Sequence, residues 1–219
     1  VDIIQKCEVT GIKRDGDKVL GVETSRGFIG AGQVGVAVAG NSSKVFDMVG
    51  MKLPIESHVL QAFVTEGIKP LVNTVCTFGA GHFYISQSDK GGLVFGGDLD
   101  GYNTYAQRGN LPTFNHVVAG GLTMMPCLSR LRILRQWGGV MDMSMDGSPI
   151  IGKTSIDNLY MNGGWCYGGF KATPGSGWVF ADTIANDKPH NLNKDFTLER
   201  FRDGYPLDEN GAGASPKAH

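Results

Sequence analysis

A chain of 219 residues is enough for one to one and a half ordinary domains with a sizeable core. Twenty Lys+Arg against 21 Asp+Glu leave a net charge of −1, too little positive field to hold a phosphate backbone or an anionic bilayer, and charged residues interrupt every apolar run of bilayer length. Nucleic-acid partners and membrane-spanning helices are excluded on these grounds. The 33 glycines are roughly twice ordinary usage and show no period, which points to tight turns and close backbone approach to a ligand. Cys7, Cys76, Cys127 and Cys166 have no CxxC spacing and sit among apolar neighbours. They read as reduced, buried thiols of a cytoplasmic protein, without disulfide or zinc.

The opening Val1-Asp2-Ile3-Ile4 is β-like and lacks an initiator Met, a basic leader or a cleavage signal, so the chain reads as a piece of a longer one. Runs over Lys6–Arg14, Lys18–Ser25 and Gly27–Ile29, separated by Asp15-Gly16-Asp17 and Arg26-Gly27, predict a small antiparallel meander. Val34–Gly40 is small and β-branched and predicts a fully buried strand ending in a glycine turn; Ser42 or Ser43 then caps a helix over Lys44–Met51.

Two motif matches fail on context. Gly30-Ala31-Gly32-Gln33-Val34-Gly35 fits GxGxxG with Glu56 downstream, yet the glycines trail a hairpin and lead into a strand rather than opening a helix. Gly147-Ser148-Pro149-Ile150-Ile151-Gly152-Lys153-Thr154 fits the phosphate-loop pattern, but Pro149 removes a backbone donor and an extended run follows where a helix is needed. Both read as turns.

From Ser57 to Gly97 the pattern alternates in the β manner over Val59–Thr65, Thr74–Phe78, Phe83–Ser86 and Leu93–Gly97, with Ser88–Gly92 as a hairpin turn. Phe114, Val117, Val118, Leu122 and Met125 recur at helical spacing until Pro126, and that helix is expected to cover one face of the sheet. Arg132–Val140, Asp146–Ile151 and Leu159–Asn162 add extended segments, so the whole combines strands and helices in the α/β and α+β manner.

The most informative stretch runs from Asn162 to Trp178. A buried strand enters the glycine-dense Gly163-Gly164-Trp165-Cys166-Tyr167-Gly168-Gly169, and a helix is expected over Gly175–Asn186 with no acidic side chain in its first turn. Such a helix start offers unpaired N–H groups and about half a positive charge to an electron-rich group in front of it. Lys171 stands inside the loop among glycine, aromatic and small residues; it either snorkels to water or serves a ligand.

With these residues on the page, the chain resembles the C-terminal part of the flavin-dependent amine oxidases of the D-amino-acid oxidase superfamily, nearest to the beta subunits of heterotetrameric sarcosine oxidases. The resemblance lies in Val1–Gly11, in Pro54–Ala62, in Arg135-Gln136-Trp137-Gly138-Gly139 with Asp146–Ile151, and in Gly168-Gly169-Phe170-Lys171-Ala172-Thr173-Pro174-Gly175. Ile184–Asp187 and Leu198-Glu199-Arg200-Phe201 are similar too. It implies that the part carrying the true FAD-pyrophosphate fingerprint, and the histidine that attaches FMN covalently, lie outside this chain. It implies an incomplete, Rossmann-like FAD-binding domain (1–52 and 151–190), an antiparallel-sheet substrate domain (53–150) and a C-terminal extension (191–219).

Residue by residue, the resemblance places Val9 on the adenine side of FAD and puts Gly168, Gly169 and Lys171 under the isoalloxazine ring. Cys166 stands where glycine is more usual, and His58 falls near an FMN-side subunit interface or is simply packed. The implied reaction is oxidative demethylation of sarcosine, with electrons passing from FAD to FMN and then to oxygen as hydrogen peroxide. The one-carbon unit leaves as formaldehyde or goes to tetrahydrofolate on a partner subunit. Lys171 is the expected catalytic residue, pairing with the sarcosine carboxylate, while the helix after Pro174 stabilises charge on the reduced ring. Alternatives are a dimethylglycine or sarcosine dehydrogenase, a glycine oxidase, an opine-type dehydrogenase subunit, or a fragment that carries no flavin.

Overall fold

The computed structural model describes residues 1–207. The chain divides into two compact units, Val1–Glu56 together with the residues from Asp142 onward, and Ser57–Met141.

In the first unit, β1 (Val9–Asp15), β2 (Lys18–Thr24) and β3 (Gly27–Gly30) form an antiparallel meander, closed at its first turn by Gly16 with φ +56°. The β-like opening forms no strand, and Val1 to Lys6 are exposed. A second sheet has the order β10-β11-β4, from β4 (Val34–Val36), β10 (Ile150–Lys153) and β11 (Leu159–Gly163). Here β10 and β11 are antiparallel, whereas β11 and β4 are parallel with Leu159 opposite Val34 and Met161 opposite Val36. The expected buried strand over Val34–Gly40 is therefore shorter and only partly covered. It is an edge strand among the described residues, Val38 is 39% exposed, and the chain turns at Ala39 with φ +45°.

Helix α1 (Ser42–Asp47) follows, with no side-chain cap. Ser42 Oγ instead donates to Ala39 O and Ser43 Oγ to Ile55 O, so neither serine caps it. The long helix α3 (Gly169–Asn186) lies on the second sheet. A Cβ at Gly35 would come within 3.0 Å of Ile184 and 3.1 Å of Phe180, so the absence of a side chain on β4 sets how closely helix and sheet approach. The core of the unit gathers Ile12, Val19, Val36, Phe46, Leu159 and Met161, among others, and α4 (Glu199–Asp203) packs Phe201 against it.

The second unit is built on a five-stranded sheet of order β6-β7-β8-β5-β9: β5 (Ile55–Gly67), β6 (Cys76–Phe78), β7 (Phe83–Gln87), β8 (Gly92–Leu99) and β9 (Ile133–Ser144). The chain crosses between units inside β5 and inside β9. Helix α2 (Leu111–Met124) is capped by Asn110, whose side chain accepts from Thr113 N at 2.9 Å, and it ends just before Pro126. It turns Val117 and Gly121 inward against Phe83, Phe95 and Ile85, as the apolar spacing predicts.

The expected domain breaks at 52/53 and 150/151 give way to 56/57 and 141/142. Residues 142–150 belong to the first unit because Asp142 and Asp146 bond to its glycine turn and to Arg200. Residues 191–207 are no loose extension either, since Asn193 and Arg200 are buried within that unit; the remainder of the expected extension, 208–219, lies outside the described residues. Of the four free thiols only Cys166 is buried, and Cys127 is exposed, against the expectation that all are buried. No helix among the described residues is long and apolar enough to cross a membrane.

Candidate functional site

Strand β11 ends at Gly163, and the chain reverses through two positive-φ residues, Gly164 (φ +72°) and Cys166 (φ +49°), before α3 begins at Gly169. A Cβ at Gly164 would lie 3.2 Å from Ser144, and its φ favours glycine independently. Asp142, buried near the end of β9, holds this reversal. Its Oδ2 accepts from Gly164 N at 2.5 Å and its backbone oxygen accepts from Cys166 N at 3.0 Å. Burial raises the Asp142 carboxyl above its ordinary value, and the backbone N–H groups of Gly164 and Trp165 offset part of that. The Cys166 thiol, 3.6 Å from Ser144 Oγ, is likewise pushed up by burial and stays a neutral thiol at ordinary pH.

Helix α3 starts six residues earlier than expected. Pro174, which was expected to precede the helix, sits inside it. Nearby, Thr173 Oγ1 donates to Gly169 O at 3.0 Å. Lys171 is therefore a first-turn helical residue rather than a loop residue. It is exposed, its Nζ donates to Tyr167 O at 3.4 Å, and among the described residues it forms no ion pair. The first turn holds no acidic residue and no side chain caps it. Unpaired N–H groups, the helix dipole and one ammonium thus converge, an arrangement suited to an electron-rich ring or a small carboxylate.

Lys171 borders a cleft of about 480 Å³, walled on one side by Trp165, Cys166 and Gly168, and on another by Leu192, Asn193 and Phe196. A buried ion pair anchors the segment that follows. Arg200 Nε meets Asp146 Oδ2 at 2.8 Å, Nη2 meets Oδ1 at 2.9 Å, and Nη2 also donates to Ser148 O at 2.8 Å. Burial raises the Asp146 carboxyl, but the Arg200 guanidinium and the Leu207 and Ser148 N–H groups outweigh it and hold the group below its usual value. The same contacts consume what a phosphate loop would need: Gly147 N donates to Ser144 O, Ser148 N to Asp146 Oδ1 and Ile151 N to Phe196 O. Lys153 pairs with Asp187 at 2.8 Å.

Of the expected site residues, Cys166, Gly168, Gly169 and Lys171 come together at this turn. Val9 stands apart in the meander, 36% exposed and opposite Thr24. His58 belongs to the second unit, buried, with Nδ1 2.7 Å from Asp100 O. Sequence reading missed Asp142, Asp146 and Arg200. The available signal was an acid inside the apolar run Val140-Met141-Asp142-Met143, since lone acids are seldom buried without partners.

The chain is 65% identical over 219 residues to the sarcosine oxidase subunit beta of Rhizobium meliloti strain 1021, covering all of this chain and 53% of that protein. It is 51% identical over 214 residues to the protein of the same name from an Arthrobacter species, covering 98% of this chain and 53% of that one. The chain thus spans about half the length of these relatives. In structure it is similar to the L-proline dehydrogenase of P. horikoshii, with a TM-score of 0.82, 28% identity, and coverage of 92% of this chain and 55% of that one. Residues 1–183 match the family of FAD dependent oxidoreductases named DAO, and the chain belongs to that family.

Proposed function

We propose that this chain is the C-terminal part of a sarcosine oxidase beta subunit, and that Lys171 holds the carboxylate of the substrate. The observation that carries the reading is the exposed ammonium on the first turn of α3, in no ion pair among the described residues and directly after the glycine turn.

The site fits a flavin. The uncapped N–H groups at the start of α3 suit the electron-rich pyrimidine edge of the ring, Gly168 and Gly169 keep side chains out of its way, and Val9 in the meander is assigned to its adenine side. When bound, FAD supplies the two-electron acceptor for the N-methyl carbon. The polypeptide supplies position. Lys171 leaves Tyr167 O for the carboxylate of sarcosine, a stronger charge-assisted partner, and so fixes where the N-methyl group lies. Asp142 holds the turn that carries these groups.

The overall change is sarcosine, oxygen and water to glycine, formaldehyde and hydrogen peroxide. In the same reading the full protein works in the cytoplasm with the other subunits of a heterotetramer. FMN is attached at a histidine outside this chain, and tetrahydrofolate takes the one-carbon unit on a partner subunit. The shared name of the two relatives supports the subunit assignment. The buried His58 is read as a packing residue.

The test is peroxide release by the full-length protein, co-expressed with its partner subunits, on sarcosine, dimethylglycine, glycine, D-alanine and L-proline. Sarcosine should give the highest kcat/KM. A preference for another substrate, or a preparation without flavin absorbance, would overturn the reading.

A further inference from the structure

The second unit contains a cavity of about 220 Å³ between α2 and the five-stranded sheet. Its floor is made by Ile85, Leu93 and Phe95 of the sheet, and α2 contributes Phe114, Val118 and Leu122 at i, i+4 and i+8. The pocket is half-open, and an apolar space of about 150 Å³ is already large enough to admit benzene.

Its walls are braced against collapse. The Phe95 ring lies 5.2 Å from Phe63 and 5.9 Å from Phe83, and Phe63 also meets Phe114 edge-on at 5.4 Å. Phe83 in turn seats against bare backbone at Gly121, where a Cβ would come within 2.6 Å of the ring. A glycine in the middle of a helix is disfavoured, so this contact explains a residue that helix propensity alone would replace.

Water is poorly served there. A buried water needs two to four polar partners, and Thr65 is the one buried polar side chain in the lining. Its Oγ1 is already spent, donating to Glu66 O at 2.8 Å and accepting from Leu93 N at 3.0 Å. Ser129, in the turn after α2, is the only exposed lining residue.

We propose that this cavity binds a small, uncharged, aromatic molecule of one or two rings. Volume sets the size, the braced phenyl rings set the preference for a flat apolar guest, and a lining whose one exposed polar residue is Ser129 cannot neutralise both charges of a zwitterion such as an amino-acid substrate.

Indole is the probe, with indole-3-acetate as charged control, titrated against the full-length protein with its partner subunits and methyl-labelled at Ile, Leu and Val. Indole should bind with a Kd between about 10 μM and 1 mM. It should shift the methyls of Ile85, Leu93, Val118 and Leu122, and the charged control should bind at least tenfold more weakly. Val118→Phe and Leu122→Phe should each fill the space and weaken indole at least tenfold, with turnover unchanged. No binding at millimolar indole, methyl shifts elsewhere, equal binding of the control, or unweakened binding to either filled variant would overturn the proposal. If both variants misfold, the methyl shifts of the wild type alone decide it.

Discussion

Cys166 shows how one residue records both a family habit and a local departure. The resemblance marks its position as one where glycine is usual, and the structure gives the physical reason, φ +49°. A side chain there costs about 1 kcal/mol that glycine would not. Cys166→Ala keeps that strain and loses the buried thiol, whereas Cys166→Gly loses the thiol and relieves the strain. The glycine variant should therefore be more stable than the alanine variant by about 1 kcal/mol in urea denaturation; a less stable glycine variant would show that the thiol's contact with Ser144 dominates. Asp142 is the complementary case. Its carboxylate serves the backbone N–H groups of Gly164 and Trp165, so Asp142→Ala should cost about 2–3 kcal/mol. Asp142→Asn, which keeps one acceptor oxygen, should cost less, and the same denaturation series checks the order.

Among the elements, those whose signals are local were readable. The meander follows from Asp15-Gly16-Asp17, and α2 from its apolar spacing, its asparagine cap and Pro126. The start of α3 was hidden because the glycines and Pro174 read as a loop ahead of the helix, although the helix had already run five residues before the proline. The anchor of α4 was hidden for a different reason: Arg200 and Asp146 stand 54 residues apart, and no local pattern announces such a pair. With both side chains only 3% exposed, removing one partner should be severe. Arg200→Met should cost about 3–5 kcal/mol, while the double change Asp146→Asn with Arg200→Met should recover a large part of that. The pair also sets a pH dependence. Because the Asp146 carboxyl is held below its ordinary value, its contribution is full above about pH 4 and is lost as pH falls through its folded value. Thermal midpoints followed from pH 6 to pH 3 should drop less steeply in the double variant than in the wild type; parallel curves would count against it.

For the whole molecule, the sequence placed the glycine-rich reversal and the return of the C-terminal strands to the opening ones, and β11 does pair with β4, but it put Lys171 in the loop rather than in the first turn of α3. It misplaced the unit boundaries, because what assigns residues 142–150 to the first unit is a set of contacts from Asp142 and Asp146 to distant backbone and to Arg200. The central claim rests on one ammonium, and its direct test is kcat/KM for sarcosine in full-length Lys171→Ala, with FAD content measured on the same preparations. Loss of one charge-assisted contact to a small carboxylate should lower kcat/KM by about 30- to 1000-fold. FAD content should stay near that of the wild type, and Lys171→Arg should also be impaired because a planar fork does not replace a compact ammonium. Near-normal kcat/KM in Lys171→Ala, or a loss that merely tracks missing FAD, would contradict the account.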